Sequence, residues 1–226
     1  MTTLDRSTAA ALRRGWDAQQ QPFLPWREEV FDVLAARARD RVLDLAGGTG
    51  SIASRLTDVT LLDFDPVLLE IARVALDVPV VRADLSGPGW ADGLPRFDSV
   101  LAGTALHHFG PDRLRALYAE IRDLLNPGGL FANADRMPEP AAVVPGEPGA
   151  MEAWHDWWRE ALAHPALAAL ADRPDGESAD FYPPVSWHVD ALRAAGFAHV
   201  EVVWRRGDSA VVVAQRDPGR GPEEAA

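Results

Sequence analysis

The sequence contains no cysteine, so disulfides, thiolate nucleophiles and cysteine metal sites are excluded. Lysine is also absent: all 22 basic residues are arginine, scattered along the chain. The net charge of −12 lacks the cationic excess that non-specific phosphate binding requires, which argues against a nucleic-acid partner. No run of about 18 apolar residues occurs, and the N-terminus has no apolar signal core. We therefore expect a soluble cytoplasmic protein with no membrane partner.

The composition is that of one globular α/β unit. With 226 residues, 47% apolar and 25% charged, the chain can bury a sizeable core. We expect a single domain over 1–216, in which residues 1–40 form an N-terminal helical cover. A segment rich in proline and glycine opens an insertion at 137–185, which we expect to act as a lid over a substrate. The polar tail 217–226 is expected to be disordered.

The stretch Val42–Gly50 organises the rest of the chain. An apolar strand containing Asp44 runs into a loop with three glycines, and we expect a helix to start at Ser51. Glycine lets a ligand approach the backbone closely, and the free N–H groups of a helix start face such a ligand. The geometry suits a nucleotide-like cofactor. The loose pattern G-x-G-x-x-A over 48–53 leaves a dinucleotide open at this point.

Strands that alternate with helices predict a parallel sheet with right-handed crossovers. The expected strands are Arg41–Leu45, Val59–Asp63, Pro79–Ala83, Phe97–Ala102 and Leu130–Ala134. Ligands of such sheets bind at the carboxyl ends of the strands, where Asp63, Asp84 and the loop 103–108 all fall. Two further β-rich runs, 198–204 and 209–215, predict a terminal antiparallel hairpin.

Tryptophans recur in the segments that flank this sheet. Trp154, Trp157 and Trp158 stand at helical spacing in a helix expected over 150–171, and packing is the ordinary explanation of that spacing. Large aromatic side chains in an insertion also suit a lid over a flat or apolar acceptor. Trp16 and Trp26 allow the same two interpretations for the N-terminal segment.

The ordered motifs resemble those of class I S-adenosylmethionine-dependent methyltransferases of the small-molecule type. The resemblance covers 41–134 motif by motif and 188–215 by general pattern. Ala46 stands where the first glycine is usual, as in quinone-biosynthesis methyltransferases. The matching stretches are Leu43–Gly50, Leu62–Pro66, Ala83–Leu85, Phe97–Phe109 and Leu125–Leu130. The resemblance implies a Rossmann-like mixed seven-stranded sheet, order 3-2-1-4-5-7-6, with strand 7 antiparallel and helices on both faces.

The resemblance also implies S-adenosyl-L-methionine as the cofactor. Asp63 would accept both ribose hydroxyls, Phe64 would lie against adenine, and Asp84 would accept the adenine amino group near the Leu85 N–H. Asp44 would hydrogen-bond the loop or, through water, the cofactor's ammonium. The expected cofactor residues are Asp44, Ala46, Gly47, Gly48, Asp63, Phe64, Asp84, Leu85, Ala102 and Gly103. Asp65 is expected to cap a helix rather than to bind a ligand.

A base is needed only when the acceptor has a proton to lose. His108, in the loop after strand 4, is the best-placed titratable group, and His107 beside it is the weaker candidate. His155 and His188 are further candidate bases, and Tyr182 joins the three lid tryptophans as a candidate substrate contact. No metal site is expected. We expect a small-molecule acceptor, with O- or N-methylation favoured, and a monomer or homodimer.

Three alternatives remain beside this interpretation. A dinucleotide is disfavoured because Asp63 follows the glycines sooner than the roughly 20 residues expected of the ribose-binding acid in a dinucleotide site. A terminal hairpin also has no place in a dinucleotide-binding domain. A non-methylating relative, pericyclase-like or regulatory, would carry the same binding motifs. Methylation of protein or RNA is disfavoured by the negative charge and by the compact apolar insertion.

Overall fold

A computed structural model describes residues 2–139, 149–171 and 178–219 of the chain. Seven strands form one sheet in the order β3-β2-β1-β4-β5-β7-β6. Their bounds are β1 Val42–Leu45, β2 Val59–Asp63, β3 Val80–Arg82, β4 Phe97–Gly103, β5 Leu125–Arg136, β6 His199–Arg206 and β7 Ser209–Gln215. The predicted order is confirmed.

The strand directions are also as predicted. β1 to β5 pair in parallel, and β7 pairs antiparallel with both β5 and β6. The register places Leu45 of β1 opposite Leu62 of β2 and Ala102 of β4, so these strands end at a common edge. The chain winds outward in opposite directions from β1 and β4, and the crevice between them is the expected ligand position in such a sheet.

Seven α-helices surround the sheet within the described residues. They are α1 Arg6–Gln20, α2 Arg27–Arg37, α3 Pro66–Leu76, α4 Pro111–Leu124, α5 Ala150–Ala163, α6 Pro165–Ala168 and α7 Val185–Ala194. The predicted cap of α3 is confirmed: Asp65 Oδ1 accepts from the Val67 N–H at 2.8 Å, and Pro66 occupies the first turn. No helix in these ranges is long and apolar enough to cross a membrane.

Apolar side chains fill both faces of the sheet. One cluster joins the strands to α4 and α7, and a second joins them to α2 and part of α3. A third cluster lies beyond the sheet, where α1 and α5 pack against α3. The N-terminal helix and the tryptophan helix therefore meet on one side of the sheet's carboxyl edge.

Two expected helices are shorter than the sequence suggested. The glycine loop leads only into a single 3-10 turn, Ala53–Arg55, because Leu56 is already extended and packs against the second core cluster. The expected helix over 150–171 divides into α5 and α6 at His164, since Pro165 has no N–H to continue the helix. The hairpin formed by β6 and β7 is confirmed.

Candidate functional site

Asp63 lies at the carboxyl end of β2 and connects two loops. Its Oδ2 accepts from the Gly48 N–H at 2.8 Å and its Oδ1 accepts from the Asp65 N–H at 2.9 Å. Burial raises the pKa of this carboxyl to about 6, against the effect of those two hydrogen bonds. Each carboxylate oxygen keeps a further lone-pair position, so Asp63 can still accept two hydroxyl donors.

The glycine loop packs tightly against the side chain of Asp44. A Cβ on Gly47 would lie 2.7 Å from Asp44 Cγ, so no larger residue fits there without movement. Ala46 adopts a left-handed backbone with φ +53, the conformation in which glycine is favoured. At Gly48 the nearest atom to an added Cβ is Trp16 Nε1, at 3.8 Å. The loop therefore packs closely against β1 at Gly47, and Trp16 and Leu68 border its Gly48 side at ordinary contact distance.

Asp44 is fully buried beneath this loop. Its Oδ2 accepts the Ala53 N–H, while Oδ1 has no hydrogen-bond partner among the described residues. Burial, and after it the charge of Asp63, raise the pKa of Asp44 to about 7. A buried carboxyl with an unused oxygen is ready to receive a donor or a cation from a ligand.

The residues expected around adenine lie on the β2–β3 side of the edge. Phe64 is 40% exposed, and Trp26 is the other aromatic side chain among the exposed large apolar residues of the described chain. Asp84 is exposed and accepts the Ser86 N–H at 2.8 Å, whereas Leu85 is buried beside it. The structure thus brings an apolar surface and an accessible carboxylate to the same region.

Ala102 and Gly103 end β4 across the crevice. A Cβ on Gly103 would lie 2.7 Å from Phe31 Cε1 and 3.0 Å from Ile52 Cδ1, so α2 and the glycine loop both touch this strand end. The Gly103 carbonyl accepts the Thr104 hydroxyl at 2.7 Å. Thr104 has φ +54, which turns the chain sharply into the loop 103–108. This loop, the histidine loop, carries His107 and His108.

His107 forms the best-built acid–base pair in the site. Its Nδ1 lies 2.9 Å from Asp135 Oδ1 at the end of β5, and Tyr182 stacks on its ring at 4.7 Å between centroids. Burial opposes the protonated imidazole, but the charge and hydrogen bond of Asp135 outweigh it and raise the pKa of His107. Burial opposes the Asp135 anion in the same way, and His107 nevertheless lowers the pKa of Asp135.

His108, the candidate favoured by the sequence, faces the insertion instead. Its Nδ1 lies 2.8 Å from Ser178 Oγ, and its backbone carbonyl accepts the Ala179 N–H at 3.0 Å. Desolvation by the surrounding loops, and next the charge of His107, lower the pKa of His108 to about 4. A second backbone bond, from the Phe181 N–H to the His107 carbonyl at 2.9 Å, fixes the insertion to the histidine loop.

The other two candidate bases lie away from this pair. His155 is exposed on α5 and touches only Trp154 among ring systems, with centroids 5.1 Å apart. His188 is buried in the core, where its Nδ1 lies 2.6 Å from the Tyr118 hydroxyl. Burial lowers the pKa of His188 to about 4. The structure therefore does not assemble His108, His155 and His188 around one point.

The three tryptophans of α5 pack against the N-terminal helix. Trp157 and Trp158 are buried, and both make edge contacts with Trp16, at 4.8 and 6.2 Å between centroids. The Trp157 indole donates to the Leu12 carbonyl at 2.9 Å. Trp154 is only half-buried. Since Trp16 also lies over the Gly48 side of the glycine loop, this cluster packs α1 and α5 together beside that loop.

Comparisons with known proteins show the family to which the chain belongs. A family model described as a methyltransferase domain matches residues 42–129. A demethylmenaquinone methyltransferase of Beutenbergia cavernae is 30% identical over 190 residues, which cover 80% of this chain and 72% of that protein.

Solved structures show the same fold at lower identity. The DhpI–SAH complex has a TM-score of 0.64 at 22% identity and covers 95% of this chain and 96% of its own. Human N-acetylserotonin methyltransferase in complex with SAM has a TM-score of 0.58 at 16% identity, with 92% and 55% covered. Taken with the sequence match, the chain belongs to the class I S-adenosylmethionine-dependent methyltransferases.

Proposed function

We propose that this protein transfers a methyl group from S-adenosylmethionine to an oxygen or nitrogen atom of a small-molecule acceptor. The acceptor carries a proton that must leave, and His107 is the base that takes it. The observation that carries the proposal is the His107–Asp135 pair. His107 lies in the short 3-10 turn that follows β4, and β4 borders the crevice.

The residues at the edge fit the cofactor. Asp63 retains two acceptor positions for a ribose diol, and Phe64 offers an exposed ring to a flat base. Asp44 Oδ1 has no donor among the described residues, and a ligand ammonium can supply one directly or through water. Gly48 has no side chain between its backbone and Trp16, so a ligand there would meet the backbone directly and the Trp16 ring above it. When bound, S-adenosylmethionine supplies an already activated methyl group, so the chain's own task is alignment and proton removal.

Asp135 fixes the tautomer of its partner. A carboxylate at Nδ1 keeps the proton of neutral His107 on that nitrogen, and Nε2 is left as the acceptor. No hydrogen bond within the described residues engages Nε2. Tyr182 covers one face of the imidazole, and its own pKa is raised to about 12 by burial, so it stays a neutral phenol at working pH.

The acceptor would lie between the histidine loop and the end of the insertion. Residues 178–182 are tied to that loop by backbone bonds, and they present Tyr182 at the reacting side. Trp154, the half-buried member of the α5 trio, is the tryptophan available for acceptor contact. Trp157 and Trp158 support the cover instead, because their rings are buried against α1.

The test is labelled-methyl transfer to a panel of phenols, amines and carboxylic acids. His107→Asn should lower kcat by about 10²- to 10⁴-fold with any acceptor that must lose a proton. His199→Asn, on the exposed β6 strand, is the matched control and should retain full activity. Because Asp135 raises the pKa of His107, kcat should increase with pH through a value above the ordinary 6.5.

Two results would contradict the proposal. One is undiminished transfer by His107→Asn at every pH. The other is tight binding of S-adenosylhomocysteine by the wild-type protein with no transfer to any acceptor, which would favour the non-methylating alternative.

A further inference from the structure

Arg27, the first residue of α2, is the one arginine among the buried polar residues of the described chain. Its side chain is 4% exposed, although a guanidinium is seldom buried without full pairing. Only Nη2 is engaged: it donates to Ser51 Oγ at 2.8 Å and reaches Asp17 Oδ1 at 3.4 Å. Nε and Nη1 are buried with no acceptor among the described residues.

Three N–H groups of this guanidinium therefore lack a partner. Each buried donor without an acceptor destabilises the protein, and a bound ligand is one means by which such a donor is satisfied. The cation also lies 4.4 Å above the Phe31 ring, which holds its plane in place. Its neighbours thus orient Arg27, while its Nε and Nη1 donors have no acceptor among the described residues.

The position of Arg27 relates it to the crevice. Ser51, its hydrogen-bond partner, directly follows the glycine loop. Phe31, on which it stacks, contacts the Gly103 end of β4. Ser51 thus links the guanidinium to the segment after β1, and Phe31 links it to the end of β4, and a ligand of such a sheet is expected between these two strands. Burial raises the pKa of Asp44 beneath the same loop, and the positive charge of Arg27 opposes part of that rise.

We propose that Arg27 is the counter-ion of the carboxylate in the methionine half of the cofactor, held in position by Asp17 and Ser51. The inference rests on the proposed function, since it needs the cofactor at this edge. Asp17 belongs to α1 and Arg27 to α2, so the N-terminal cover supplies a binding group as well as the Trp16 surface. Recognition of the carboxylate would then require the cover to be closed over the crevice.

Two ligands separate this role from a structural one. S-adenosylhomocysteine carries the amino-acid end, and 5′-methylthioadenosine keeps the adenosine but lacks that end. Binding of each is measured by titration calorimetry for the wild type, Arg27→Met and Arg13→Met. Arg13 is the matched control because it pairs with the other oxygen of Asp17, at 3.1 Å. Arg27→Lys, which keeps the charge, is measured as a second variant.

Arg27→Met should weaken S-adenosylhomocysteine binding about 10- to 100-fold and leave methylthioadenosine binding within about twofold. Arg27→Lys should fall between wild type and Arg27→Met, and Arg13→Met should change neither ligand more than about threefold. Equal losses for both ligands, or no loss for either, overturn the inference while the proposed function stands. Failure of the wild-type protein to bind either ligand contradicts the proposed function itself.

Discussion

Asp44→Asn should stabilise the ligand-free protein at high pH. Burial raises the pKa of this carboxyl from 3.8 to about 7, so the folded state opposes its ionisation. A raised folded pKa means that the wild type loses stability as pH increases from about 4 to about 7, and loses no more above that. At ~1.4 kcal/mol per pH unit, the lost stability is roughly 4 kcal/mol at pH 8 and about 2 kcal/mol at pH 5.

The amide cannot ionise, and its oxygen can still accept the Ala53 N–H that Asp44 binds. Its NH₂ group enters the space beside the unpartnered Oδ1, at a cost of about 1–3 kcal/mol that does not depend on pH. The free energy of unfolding, measured by urea denaturation, should therefore favour the variant by about 2–3 kcal/mol more at pH 8 than at pH 5.

The exposed Asp112→Asn provides the control for loss of one carboxylate at the surface. If the free energies of unfolding of Asp44→Asn and wild type differ by the same amount at pH 5 and at pH 8, the raised pKa of Asp44 is refuted. Such a result would mean that Asp44 is already ionised and solvated in the folded protein.

Two further substitutions test the packing of the crevice. Gly103→Ala places a Cβ 2.7 Å from the Phe31 ring, so it should destabilise the protein by about 1–3 kcal/mol in urea denaturation. Gly87→Ala, with no atom within 4 Å, is its control, and an equal effect of the two would contradict the packing. Ala46→Gly relieves a left-handed φ of +53 and should stabilise the protein by about 1 kcal/mol by thermal denaturation. A destabilised Ala46→Gly protein would show that the backbone there is not strained.

The sheet could be predicted because its signals are local. The adjacent residues Asp65 and Pro66 mark the start of α3. Two β-rich runs joined by the short turn that contains Gly207 mark the hairpin. The helix expected after the glycine loop failed for the opposite reason. Leu56 becomes extended directly after Arg55 and packs against the second core cluster, a tertiary arrangement that periodicity does not reveal.

The choice between His107 and His108 needed the fold. Both follow β4, and the residue that distinguishes them, Asp135, lies 28 positions further along the chain. A signal was present: β5 neighbours β4 in the predicted order, so an acid at its carboxyl end would face the histidine loop. Arg27 gave no comparable signal, because only the packing of α2 against the loop distinguishes it from the other arginines.

A crystal structure of the protein with S-adenosylhomocysteine is the decisive test of the cofactor site. We expect the ribose hydroxyls to lie on Asp63, the adenine beside Phe64, and the sulfur on the side of the crevice that faces His107. Occupancy of a different edge of the sheet, or a ribose without contact to Asp63, would contradict this expectation.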